Sequence, residues 1–347
     1  MIESFGEFRA SNDALADAAE LRRRMDDEGY LFFRGLLDPG RLTALRRDML
    51  EVIAGNGWLA PGTDPMDGIA DPDRRCTEGD LDYVDVYHQV YRLESFHRAG
   101  HWPEVLDVLA KVIGGPVFAF PHKIARIWFP QFTEHTTPIH QDFVHFQSSM
   151  DVYSCWHPVG DCPRDLGGLA VLPGSHRVGR VVDHHFSLGA GSLSIDPEEH
   201  PDGWVSTDYQ HGDVLFFHAL TIHGALQNVT PDRLRISLDN RYQRMGSPVT
   251  DHMLDPHLSG HQPLSWDQVY AGWSGSEDLR YYWHDYEFEV IDKDTSFQEK
   301  GFAEAVERAR SGDPLARLHL QRIVTMHPDS EQAQKAERIL AEASPVA

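Results

Sequence analysis

Cysteine is scarce in this sequence: among 347 residues there are three, Cys76, Cys155 and Cys162, and no two of them form a CxxC pair. That count excludes a disulfide framework and a thiolate zinc cluster, and it fits a reducing cytosol. Long apolar runs are also missing. None reaches the roughly 18 residues of a membrane-spanning helix, and the opening "MIESFGEFRASNDALADAAELRRR" lacks the basic head and apolar middle of a secretory signal. Positive charge is the third deficit, since 31 Lys and Arg stand against 54 Asp and Glu, a net charge of −23. Such a surface repels phosphate backbones and anionic lipid. A cytoplasmic chain acting on a small molecule, with neither nucleic acid nor membrane as partner, is therefore expected.

What is present describes a folded chain: 41% hydrophobic and 24% charged residues are globular values that leave no case for wholesale disorder. The first hundred residues read as helix broken by turns. "SNDALADAAELRRRMDDEG" has capping residues in front and Gly29 behind, "YLFFRG" is a short strand, and "RLTALRRDMLEVIAG" repeats its apolar residues at helical spacing. From Gly57 to Asp82, prolines and Asp/Gly residues predict a long loop, equally suited to covering a pocket or to decorating the surface.

Residues 116–245 change character, with "PVFAF", "KIARIWF", "IHQDFVHF", "DVYSCWHPV", "GGLAVLPGSH", "DVLFFHALTIHG" and "RLRISLDNRYQ" separated by turn residues. Strands without intervening helices predict an antiparallel sandwich or barrel, a mostly β core with flanking helices. Helix returns at the end, where Phe302, Ala305, Val306 and Ala309 form a stripe and "DSEQAQKAERILAEAS" makes a second helical stretch. We read residues 1–290 as one domain and 291–347 as a helical tail that packs on the core or pairs two copies of the chain as a homodimer.

The chemistry concentrates in "TTPIHQDFVHF", residues 136–146. On a strand, His140 and Asp142 share a face and can converge on one ion, whereas His145, at an odd offset, faces the other way, as does Gln141. A second histidine from a distant strand completes a two-His, one-carboxylate facial triad with positions left open, the pattern of non-haem Fe(II) oxygenases. "GDVLFFHALTIHGALQN" offers His223, which precedes Gly224 at a strand end, with His218 as the alternative. In "DRLRISLD", Arg233, Arg235 and Ser237 share a face, and a planar cation beside a hydroxyl suits the far carboxylate of a 2-oxo acid chelated at the open positions. Either Arg235 or Arg233 is the anchor. Trp128, Trp156 and Trp204 are cavity or packing residues, and His176 is more readily structural.

Together "HQD", "GGLAVLPGSH", "GDVLFFHALTIHG" and "RLRIS" resemble the phytanoyl-CoA dioxygenase family of Fe(II)- and 2-oxoglutarate-dependent oxygenases, over about Gly29 to Tyr242. The resemblance implies a double-stranded β-helix, a cupin-like jelly roll. It implies His140, Asp142 and His223 as iron ligands, Arg235 as the 2-oxoglutarate anchor and Ser237 beside it. Lys123 and Ser154, on the strands flanking the HxD motif, are placed to touch co-substrate or substrate. Many members carry Ser or Thr where this chain has Ala225, so one co-substrate hydrogen bond is missing or comes from Ser237.

The activity implied is hydroxylation of a small or medium organic molecule, a specialised metabolite, with O2 and 2-oxoglutarate consumed and succinate and CO2 released. A carboxylate at Asp142 disfavours halogenation, which needs a small residue there. The competing readings are a non-catalytic metal-binding jelly roll, acting as sensor or scaffold, and a zinc hydrolase; neither needs Arg235.

Overall fold

The structure, a computed structural model, describes residues 5–196, 198, 200 and 202–342. Its helical layer is assembled by local signals. Asp17 accepts the amides of Ala19 and Glu20 to start α1 (Ala18–Glu28), and Asp38 accepts that of Arg41 to start α2 (Pro39–Gly55). α3 (Leu81–Tyr91), α4 (Glu94–Ala99) and α5 (Pro103–Ile113) follow. Leu42, Leu45 and Met49 of α2 and Val105, Val108 and Leu109 of α5 belong to one buried cluster with Ile124, Phe216, Ile236 and Leu238 of the sheet. At about 1.5–3 kcal/mol for each large apolar side chain buried, that contact fixes the helices on one sheet face.

The strands around the site are β1 (Tyr30–Phe33), β2 (Val117–Ala119), β3 (Ile124–Trp128), β4 (Tyr153–Pro158), β5 (Leu169–Val171), β6 (His185–Phe186), β7 (Leu193–Ser194), β8 (Val214–His218), β9 (His223–Ala225) and β10 (Arg235–Arg244), and a short pair, β11 (Val249–Thr250) and β12 (Val290–Ile291), follows. The large sheet runs β1-β8-β4-β10-β2, with β3 also paired to β10. Its other face meets a two-stranded sheet, β5–β9, through a second apolar cluster that includes Phe32, Trp156, Leu169, Val171, Tyr209 and Phe217. The expected antiparallel core between helices is present. Among the described residues the two sheets face each other without closing into a barrel, and the smaller one joins its surroundings through isolated bridges such as His140 to His223 and Val171 to Val205.

Strand β10 positions the site. Period-2 alternation sends Ile236, Leu238 and Tyr242 into the helix-side core and leaves Arg235, Ser237, Asp239 and Arg241 on the opposite, buried face. Its register sets Ser154 of β4 directly beside Arg241, and Trp128 of β3 beside Arg235.

The tail has one helix more than expected. It forms three helices, α8 (Ser296–Arg310), α9 (Pro314–Met326) and α10 (Glu331–Glu342), after a short α7 (Trp266–Tyr270). The stripe of Phe302, Ala305, Val306 and Ala309 is buried within the chain, against Phe186, Ala316, Leu320, Ala336 and Ile339. The 57–82 stretch is an organised connection with two 3-10 turns, and its Ala70 amide donates to the carbonyl of Asp232 (2.7 Å).

Candidate active site

His140, Asp142 and His223 converge: their ligand atoms all lie within 4.8 Å of one another, and all three residues are buried. The route to this convergence is not the expected strand. His140 bridges His223 through reciprocal backbone hydrogen bonds of 2.8 and 3.0 Å, and the chain then leaves the sheet. Asp142 has helical dihedrals (φ −58, ψ −29) and opens the short helix α6 (Phe143–Phe146). Gly224 permits the bridge, since a Cβ there would stand 3.1 Å from the Ile139 side chain.

Both imidazoles are oriented by their other nitrogen. Nδ1 of His140 is hydrogen-bonded to the Pro138 carbonyl (2.8 Å) and Nδ1 of His223 to the Thr221 carbonyl (3.0 Å), so each Nε2 is left with its lone pair facing inward. The two Nε2 atoms lie 3.3 Å and 3.6 Å from Asp142 Oδ1. Burial pushes the His223 pKa down to about 3, which keeps that ring neutral.

Asp142 is held from behind. Ser154 Oγ donates to Oδ2, and Arg241 Nη2 donates to the same oxygen at 3.1 Å. Burial alone would raise the Asp142 pKa, but the Arg241 guanidinium holds it well below the usual carboxylate range. Arg241 is itself saturated, with Asp239 Oδ2 at 2.8 Å and the Phe146 ring 3.7 Å from its guanidinium carbon. Two imidazole nitrogens and one carboxylate oxygen on a common centre, each fixed by an outer partner, are the donor set of a facial-triad divalent metal.

One cavity joins the two histidines of the triad to Arg235; His140, His223, Ala225, Trp156, Asp239 and Arg235 line it. Arg235 is buried, donates to Ser237 Oγ at 2.6 Å and lies over Trp128, while its Nε has no hydrogen-bond partner. Among the described residues it forms no ion pair, and burial without a counter-charge drives its pKa down to about 10.

The other residues singled out in the sequence take different places. Arg233 precedes the strand and is exposed, so it is outside this cavity. His218 lies beside Asp151, Tyr153 and His176, away from the triad. Ser154 is engaged with Asp142 and not with the cavity. Lys123 is buried elsewhere, donating to the Phe120 carbonyl (2.9 Å) beneath Tyr282. His145 does not face away; because α6 replaces the strand, its ring centroid returns to 5.2 Å from that of His140. Gln141 does face away, bonded to Leu220 and Val182 backbone. Arg241 was missed, although the alternating polar residues at 235, 237, 239 and 241 carried the signal.

Residues 25–237 match the model of the phytanoyl-CoA dioxygenase (PhyH) family. The 1-deoxypentalenic acid 11-beta-hydroxylase of Streptomyces arenae is 30% identical over 264 residues, which is 73% of this chain and 89% of the relative. Human peroxisomal phytanoyl-CoA dioxygenase is 33% identical over 226 residues, 61% of this chain and 64% of the relative. Among solved structures, the non-heme alpha ketoglutarate dependent carbocyclase SnoK from nogalamycin biosynthesis shares 20% identity with a TM-score of 0.48, covering 70% of this chain and 89% of that one. The chain belongs to the phytanoyl-CoA dioxygenase family.

Proposed function

We propose that the protein is an Fe(II)- and 2-oxoglutarate-dependent dioxygenase that hydroxylates a small or medium organic substrate, a specialised metabolite, with release of succinate and CO2. The observation that carries this reading is the cavity shared by the triad's two histidines and a buried arginine that forms no ion pair among the described residues. Ferrous iron on His140, Asp142 and His223 supplies the redox chemistry that couples O2 and 2-oxoglutarate to oxidation of a C–H bond.

The chain's own residues do the rest. Arg235 receives the distal carboxylate of 2-oxoglutarate, and the bond from its Nη1 to Ser237 Oγ fixes the plane of the fork. Ser154 donates to Oδ2 of Asp142 and Arg241 Nη2 bridges both oxygens, at 3.1 Å and 3.2 Å, so Oδ1, the oxygen nearest both imidazoles and without the serine, is the one offered to the metal. Asp142 thereby fills the position a halide would need. Trp156 and Leu169 give the cavity an apolar wall that strengthens the charge pairing. The facing sheets correspond to the two halves of a double-stranded β-helix, residues 1–290 to the catalytic domain and 291–347 to an appended tail. Three free, buried cysteines suit a reducing cytoplasm.

A sensor or scaffold needs the triad but leaves Arg235 without a purpose. Anaerobic addition of Fe(II) and 2-oxoglutarate is expected to give a weak visible charge-transfer band that Asp142→Ala abolishes and Arg235→Ala weakens. Wild-type protein that shows no band contradicts the assignment.

A further inference from the structure

The C-terminal helices lie outside residues 25–237, the segment that matches the family. They are nevertheless tied to the site. Helix α8 docks on the β6–β7 hairpin: Glu304 accepts the Phe186 amide (2.7 Å), Lys300 donates to the His184 carbonyl (2.9 Å), and Arg308 donates to that of Phe186 (3.0 Å). The turn of that hairpin, residues 189–192, rests on His145, the neighbour of the triad's His140. Gly191 has a positive φ of 84°, and a Cβ there would stand 2.6 Å from the His145 ring, whose centroid is 5.2 Å from that of His140.

Beyond this turn opens a cleft. The turn forms one wall; Glu78 and His261 contribute to another; α9 supplies His319, Ile323 and Met326. Its full charges are already matched. Arg322 Nε is 3.3 Å from Asp80, with Nη2 donating to the Glu78 carbonyl at 2.5 Å, and the Glu78 carboxylate is paired with Arg126, a residue of the triad's own cavity. What remains for a ligand is apolar surface from Ile323 and Met326, glycine backbone, and imidazole nitrogen. Burial holds the His319 ring at about 4, so it offers one donor and one acceptor without charge at neutral pH.

We propose that this cleft seats the part of the substrate that is not oxidised, and that α9 therefore governs substrate choice. The ligand class is an uncharged, largely apolar molecule bearing hydroxyl or carbonyl oxygens. An ionised group here would meet no free counter-charge and would displace a pair that ties α9 to the Glu78 segment. The inference rests on the oxygenase reading above, which gives the cleft's proximity to the triad its meaning.

The test uses the full chain loaded anaerobically with Fe(II) and 2-oxoglutarate, and two probes of one skeleton: the fused-ring lactone sclareolide and its ring-opened hydroxy acid. Binding is measured by calorimetry, with the charge-transfer band recorded on the same samples. The lactone is expected to bind about tenfold or more tighter than the acid, and Met326→Trp, which fills the cleft, is expected to weaken the lactone by about tenfold or more with the band unchanged. Ile323→Ala provides a milder lesion in the same direction, and Gln321→Trp, exposed on α9, leaves lactone binding unaltered. Tighter binding of the acid, lactone binding indifferent to Met326→Trp, or no lactone binding up to about 1 mM overturns the proposal. Absence of the band in the wild type, with lactone binding intact, strikes the oxygenase reading instead.

Discussion

Two arginines on one face of β10, Arg235 and Arg241, share a strand, a degree of burial and a side-chain direction, yet their surroundings are opposite. Arg241 is enclosed by Asp142, Asp239 and the Phe146 ring, so its charge is spent on the protein. Arg235 has a hydroxyl and an indole beside it but no carboxylate, and its Nε has no partner. Burying a cation without an anion costs several kcal/mol, while removing one member of a buried pair costs about 3–5 kcal/mol. The first arginine is thus a structural expense that an incoming dianion can offset; the second is part of the frame that holds a metal ligand.

The comparison breaks most visibly at Arg241. Arg241→Met leaves Asp142 buried without its main counter-charge and is expected to lower stability by about 3–5 kcal/mol in urea unfolding, with iron affinity reduced about 10–100-fold. Arg235→Met is expected to do the reverse to the fold, leaving stability equal or higher, while weakening 2-oxoglutarate by about 100-fold, roughly 2.7 kcal/mol. If both variants lose stability equally, the distinction fails.

Lys123 sharpens the contrast as a third buried cation, one whose nearest partner is a single carbonyl. Burial pushes its pKa from 10.5 to about 7. Between these values the unfolded chain binds a proton that the folded chain does not, so stability rises with pH across that window and the lysine costs most below pH 7. Lys123→Met is expected to stabilise the protein by roughly 2 kcal/mol at neutral pH, an advantage that melting curves should show fading toward pH 10.5. The smallest effect belongs to Ser154→Ala, which removes one of the bonds on Oδ2; about 1 kcal/mol and up to tenfold in iron affinity are expected, with 2-oxoglutarate affinity unaltered at saturating iron.

Much of this was legible in the sequence where the signal is local. The alternating runs around Ile124, Tyr153, Val214 and Arg235 are strands as read, and the capped, apolar-periodic stretches near the N-terminus are helices. The identities of the convergent residues were legible too, but their geometry was not. "FVHF" consists of residues that suit a strand, and it becomes a helical turn through contacts from afar, including the Phe143 amide donating to the Ala219 carbonyl at 3.1 Å. That one change carries Asp142 off the sheet and returns His145 to the site. Ser154 and Lys123 were placed by strand face alone, whereas their partners, Asp142 for Ser154 and the Phe120 carbonyl for Lys123, depend on how the chain turns outside the strands. The stripe on α8 was visible from its spacing, but its partner, the hairpin around Phe186, was beyond the reach of periodicity.

The most direct measurement is an anaerobic titration of 2-oxoglutarate into Fe(II)-loaded wild-type and Arg235→Met proteins, followed at the charge-transfer band. Wild type is expected to saturate at low co-substrate, and the variant to retain its iron yet require about 100-fold more. Equal midpoints in the two proteins would mean that the unpaired guanidinium does not receive the co-substrate, and the central claim would fall.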